Sequence, residues 1–174
     1  TLSHFTMQSK QRGICRIAKA ELTAGTNTEG HRMLTFCSDF GKMEMSGTFT
    51  YASLPQTLIS HISAKLPTLP GLPALKTAPN NRFFMWAHLN DAEWMEKLLG
   101  IQLKLDSPAD VTCKVDDQTK SIAFHATMPK FTYNGNLYSG GQFNLYCPGD
   151  TMYLDTQVKR GNAKGAYTLF YVSG

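Results

Sequence analysis

The segment Lys42-Met43-Glu44-Met45-Ser46-Gly47-Thr48-Phe49-Thr50-Tyr51 decides the fold class. Its odd positions carry Met43, Met45, Gly47, Phe49 and Tyr51, while its even positions carry Lys42, Glu44, Ser46, Thr48 and Thr50. Successive side chains of a strand point to opposite faces, so a period of two predicts one apolar and one wet face.

The same alternation returns in Ala109–Asp116, where Val111, Cys113 and Val115 oppose Asp110, Thr112 and Lys114. It returns in Ser121–Met128, with Ile122, Phe124, Ala126 and Met128 against Ser121, Ala123, His125 and Thr127. Further strands are expected over Gln142–Cys147, Thr151–Lys159 and Ala166–Val172. Ile14–Leu22, Arg32–Asp39 and Arg82–Leu89 are weaker cases, apolar in part on both faces. The links are short and built of turn residues: Asp116-Asp117-Gln118-Thr119, Asn134-Gly135-Asn136 and Cys147-Pro148-Gly149-Asp150. Links this short exclude parallel crossovers and predict an antiparallel meander. A sandwich, a barrel and an elongated curved sheet all satisfy that pattern.

Two helical insertions interrupt the strands. Over residues 53–66, Ser53 and Gln56 form a capping box, and Leu54, Leu58, Ile59, Ile62 and Leu66 share one face before Pro67. Over residues 91–99, Asn90 and Glu93 are the expected capping box, with Gly100 as the stop. The fold class is therefore mainly β: an antiparallel sheet with two short α-helices.

Composition narrows the function. The 174 residues are 42% hydrophobic and 17% charged, which excludes a disordered chain. No apolar run reaches the ~18 residues of a membrane span. Seventeen Lys and Arg against thirteen Asp and Glu leave only +4. The densest basic cluster is Lys159, Arg160 and Lys164 beside a Gly-containing turn, so no nucleic-acid partner is expected. Cys15, Cys37, Cys113 and Cys147 are far apart, and no metal site is expected from them. Free cysteines on strands are the favoured reading. The first ten residues show no signal-peptide pattern, and the chain stops directly after a strand-like run. Both ends suit an internal segment of a larger protein.

Catalytic signatures are absent from the sequence: no G-x-S-x-G, P-loop, H-E-x-x-H or G-x-G-x-x-G. His4, His31, His61, His88 and His125 are scattered singly, whereas a general base needs an oriented partner. Glu93 and Glu96, at i and i+3, suit the start of a helix better than a ligand pair. Ser139-Gly140-Gly141 could seat an anion on its backbone amides, and a bulge or a strand entrance explains it equally well. The expectation is a non-enzyme without cofactor. What stands out is the amount of one-sided apolar strand. Those faces form a dry core if they meet each other, and a trough for acyl chains if the sheet stays open.

The chain resembles the translocation and assembly module TamB family of the AsmA-like superfamily, in its Bacteroidetes form. The resemblance rests on Gly47–Tyr51, Ala52–Gln56, the connector Lys65–Pro73, Trp94–Gly100, Leu105–Asp110 and the Asp116-Asp117 hairpin with the strands after it. It implies an elongated, curved antiparallel sheet of taco or groove shape. It further implies a single β-rich segment, residues 1–174, of a periplasmic protein anchored in the inner membrane. The implied role is phospholipid transport between inner and outer membrane, outer-membrane protein assembly, or both. Phospholipid acyl chains are then the ligand, and an outer-membrane assembly barrel is reached through other parts of the parent protein. On that reading the trough is lined by Met43, Met45, Phe49, Val111, Val115, Ile122, Phe124, Phe143, Leu145, Leu154 and Val158. Two alternatives stand beside it: an interaction scaffold that receives client β-strands, and a closed β-barrel binding small apolar ligands.

Overall fold

In a computed structural model, residues 2–9, 13–54, 57, 80–99, 101–149, 151–161 and 167–173 are described. Their strands are β1 (Leu2–Ser9), β2 (Gly13–Thr26), β3 (Arg32–Ser38), β4 (Gly41–Thr48), β5 (Arg82–Leu89), β6 (Leu103–Leu105), β7 (Ala109–Asp116), β8 (Ser121–Tyr133), β9 (Asn136–Cys147), β10 (Tyr153–Gly161) and β11 (Tyr167–Ser173). They form one sheet in the order β1-β2-β3-β4-β5-β7-β8-β9-β10-β11, with every neighbouring pair antiparallel. β6 pairs the far half of β8, end to end with β7 on the same side. The sheet is open and curved. Among the described residues no pairing joins β1 to β11, so the closed barrel is not the architecture.

Turn chemistry sets the hairpins. Asn134 and Gly135 take φ of 47° and 75°, the left-handed pair that a two-residue hairpin between twisted strands requires. That turn lets β8 and β9 run on to Tyr133 and Asn136, well past the alternating cores Ser121–Met128 and Gln142–Cys147. The extension was obscured because the apolar phase slips. Ile122, Phe124 and Ala126 are even-numbered, yet the ring of buried Phe131 lies 6.3 Å from that of Phe143. Pro129 cannot donate to the ladder, and Gly140 opposite has φ 60°. The register of β8 on β9 continues across this point, while the buried positions of β8 pass from even to odd, Ala126 to Phe131.

Helical content is small. Tyr51–Ser53 is a 3-10 turn, and Leu54 and Thr57 are helical, whereas the rest of the expected helix 53–66 lies outside the described residues. The second insertion is α1 (Glu93–Leu99). Its N-terminus is capped by Asp91, whose Oδ1 accepts the Glu93 amide at 2.9 Å, and not by Asn90. The Asn90 amide is already spent on the Phe40 carbonyl, at 2.9 Å.

A buried polar knot fastens the start of the first insertion to the sheet. Asp117 Oδ2 accepts the Asn81 amide at 2.8 Å and the Thr57 hydroxyl at 3.3 Å. Asn81 Nδ2 donates to Ser53 and Thr57, and Asn81 Oδ1 accepts the Thr50 amide. Asn81 is 2% exposed and Thr57 fully buried, so each bond made here replaces water that cannot enter.

Two measurements test these packing statements. Asn81→Ala strips three partners at once and is expected to lower the urea-unfolding free energy by roughly 2–3 kcal/mol. Unchanged stability would refute the knot. Burial pushes the Cys113 thiol up to about 11, so the fold favours the neutral thiol. That contribution is complete below the usual value near 9 and is lost as pH rises from there through about 11. Mass spectrometry after brief treatment with a thiol reagent at mildly alkaline pH is expected to find half-buried Cys37 labelled. Cys113 and Cys147, both buried, should react only on unfolding.

Candidate functional site

Pairing register turns the alternating strands into continuous rows. One apolar row runs Ala24–Leu34–Met45–Met85–Cys113–Phe124–Leu145–Leu154 across eight strands, from β2 to β10. Beside it runs Leu22–Phe36–Met43–Ala87–Val111–Ala126–Phe143–Thr156. A third, shorter row is Gly47–Phe83–Val115–Ile122–Cys147.

The expected lining residues therefore fall on one face, though in different surroundings. Met45, Phe49, Val115 and Ile122 are buried in a cluster with Phe83, Cys113, Cys147 and Leu54. Leu54 belongs to the first insertion, so that part of the face is dry core covered by the chain itself. Phe124 and Leu145 are half-buried against the same cluster. Met43, Val111 and Phe143 are half-buried farther along. Val158 is also half-buried, at the bulge where β10 shifts register on β9 between Gln157 and Lys159. Leu154 is 37% exposed, and at the opposite flank Leu22 is 60% exposed. The apolar face is thus closed at its centre and accessible at β2 and β10.

The other face is wet but not uniformly polar. Its rows run Ser46–Phe84–Lys114–Ala123–Tyr146–Tyr153 and Glu44–Trp86–Thr112–His125–Asn144–Asp155. Most of these side chains line a half-open groove of about 570 Å³. A second hollow of about 440 Å³ shares Phe84 and Lys114 with it and extends toward Ser46, Arg82 and His31.

Cross-strand register also supplies the histidines with partners that linear sequence hides. His88 Nδ1 lies 2.7 Å from Asp110 Oδ1, directly opposite it in the β5–β7 ladder. His125 Nδ1 lies 2.5 Å from Asn144 Oδ1 and its Nε2 3.1 Å from the Thr127 hydroxyl. All three pairs are exposed. Glu93 and Glu96 occupy the first turn of α1, where negative charge complements the helix dipole. Asp116 Oδ1 accepts the Gln118 and Thr119 amides, as a turn aspartate does.

Among the described residues, no group of three or more His, Cys, Asp and Glu side chains could hold a metal ion. No helix of the described residues is long and apolar enough to cross a membrane. No protein-family model, curated protein or solved structure matches the chain.

Proposed function

We propose that the chain is a non-catalytic wall segment of a TamB-like periplasmic protein, its apolar face serving phospholipid acyl chains during transfer between the inner and outer membranes. The observation that carries this reading is the apolar row kept in register across eight strands of an open sheet. A hydrocarbon chain asks for a dry, continuous surface and for no directional polar contact. Each methylene it buries is worth about 0.8 kcal/mol.

Self-coverage of the centre narrows where such a chain would lie. Leu54 already occupies the surface over Met45, Phe49 and Val115. The acyl chain is assigned to the accessible flanks, along Leu154, Leu145 and Phe143 on one side and Leu22 and Phe36 on the other. Any role in outer-membrane protein assembly, and contact with an assembly barrel, belongs to the parent protein.

The covered centre also favours a second reading, the scaffold. A sheet whose apolar face is filled by its own insertion offers partners its strand edges, and the outer edges of β1 and β11 carry no partner among the described residues. Strand addition there would use main-chain hydrogen bonds and leave no side-chain motif.

Photocrosslinking in cells separates the two. A photoreactive residue is placed at Leu154 and Phe124 on the apolar face, at His125 on the opposite face, and at Tyr171 in β11. The expected result is phospholipid adducts at Leu154, with weaker labelling at half-buried Phe124 and none at His125. Protein adducts at Tyr171 with no lipid at Leu154 would replace the lipid reading by the scaffold. Equal lipid labelling at Leu154 and His125 would sink the assignment of function to one face.

A further inference from the structure

The wet face carries large rings where a solvated sheet has no structural need of them. Phe84 is 48% exposed, and Tyr146 and Tyr153 are each 52% exposed. All three belong to one register row, with Lys114 and Ala123 between Phe84 and Tyr146. The Tyr146 and Tyr153 rings stack with centroids 6.3 Å apart and an interplanar angle of 20°, so each braces the other. Ala123 has the smallest side chain of the row, and the floor dips there between Phe84 and Tyr146. The result is a groove of about 570 Å³ with aromatic walls.

Directly beside that row stand Thr112, His125, Asn144 and Asp155. Asn144 Oδ1 faces His125 Nδ1 at 2.5 Å, which leaves its Nδ2 as the end that can donate. The fixed charges of the groove are one cation, Lys114, and one anion, Asp155. Arg82 beside the groove is paired across strands with Asp116 at 3.4 Å, and the Asp110 carboxylate is held by His88 at 2.7 Å. No positive field is built here, which argues against a phosphate backbone as the ligand.

The occupant must satisfy both halves of the lining. A hydrocarbon would desolvate Asn144, Thr112 and Asp155 without offering them partners. A small, fully polar solute would leave three ring surfaces unused. A chain of pyranose rings answers both, since its C–H faces pack on aromatic rings and its hydroxyls give and take hydrogen bonds at the edges. The hollow that continues past Phe84 and Lys114 to Ser46 makes the groove span β4 to β10. That is five inter-strand steps in the sheet order, roughly 24 Å at ~4.8 Å each, and suits an extended ligand.

We infer that this groove is a binding site for a neutral oligosaccharide, seated between Phe84 and the Tyr146–Tyr153 pair, with Asn144 as its principal donor. Its side-chain rows lie on the sheet face opposite the acyl-chain surface, with Phe124, Leu145 and Leu154 of that surface also bordering the groove, and it stands whether or not that assignment holds.

Isothermal titration calorimetry of the 174-residue chain with cellohexaose, xylohexaose, chitohexaose and maltohexaose is the test. At least one is expected to bind, with an affinity that does not change between low and high sodium chloride. Tyr146→Ala and Asn144→Ala should each weaken it at least tenfold, and Leu22→Gln on the opposite face should leave it unchanged. Tyr146 and Tyr153 are half exposed, so their replacement leaves the core intact; should Tyr146→Ala melt early, Tyr153→Ala reads the same wall. The inference is overturned if none of the four hexasaccharides binds. It is equally overturned if binding survives both Tyr146→Ala and Asn144→Ala, or if an oligothymidylate binds the groove instead with steep salt dependence.

Discussion

Cross-strand register is the constraint on which everything else in this molecule rests. Side chains alternate with a period of two, so a slip of one residue in any ladder would carry a strand's whole apolar set to the wet face. From β4 to β9 the register is regular: Met45 meets Met85, Met85 meets Cys113, Cys113 meets Phe124, and Phe124 meets Leu145. One such slip would expose the buried cluster around Val115 and break the aromatic row on the other side together. Both surfaces are consequences of the same hydrogen-bond ladders.

An open sheet with an apolar face faces a second difficulty, since a bare face of this extent invites aggregation. The molecule answers at the centre by folding its own chain back. Leu54 sits on the cluster, and the buried Asn81–Asp117–Thr57 knot holds its segment in place. Farther along, Trp94 of α1 packs on Phe40, with ring centroids 5.4 Å apart, and Phe40 on Phe36 of the apolar row, at 5.7 Å. What is left accessible is a flank at Leu22 and another at Leu154. This arrangement explains how residues of one repeating pattern come to have different environments: position along the row decides burial, not residue type.

Much of this was legible from the sequence, and the failures have physical reasons. Ala109–Asp116, which alternates cleanly, and Arg82–Leu89, which is apolar in part on both faces, run in the structure over the residues expected of them. Such strands are bounded by turn residues and change character abruptly. The far halves of β8 and β9 were not visible because Pro129 and Gly140 shift the apolar phase, and a phase shift looks like the end of a strand. β6 has three residues, too few for any period to declare itself. β1, Leu2–Ser9, mixes polar and apolar residues on both faces. The aromatic groove was hidden for a different reason. Phe84, Tyr146 and Tyr153 each break the alternation of their own strand, and they make sense only once register places them side by side. Asp117 likewise reads as an ordinary turn residue until Asn81, 36 positions earlier, is brought against it.

The absence of catalytic motifs from the sequence takes on a different meaning on a sheet of this kind. Sequence motifs arise when chemistry requires fixed spacing along the chain, as at a helix terminus or a tight loop. A face built across eight strands is assembled from residues that are neighbours in space at a spacing of two along the chain, and no local pattern records which strands will be adjacent. Surfaces that work by area, whether a hydrocarbon track or a row of rings for stacking, are therefore the functions most readily hidden in a β sequence. The two faces here exploit that in opposite ways. One uses side chains that obey the alternation and are partly covered by the chain itself. The other uses large rings that violate it and remain exposed at a cost in solvation. Exposed rings aligned in one row, two of them stacked and flanked by an amide, add little to this fold, since a cross-strand aromatic pair is worth about 0.2–1 kcal/mol; the core is on the other side. The proposed oligosaccharide gives their placement a reason that stability alone does not supply.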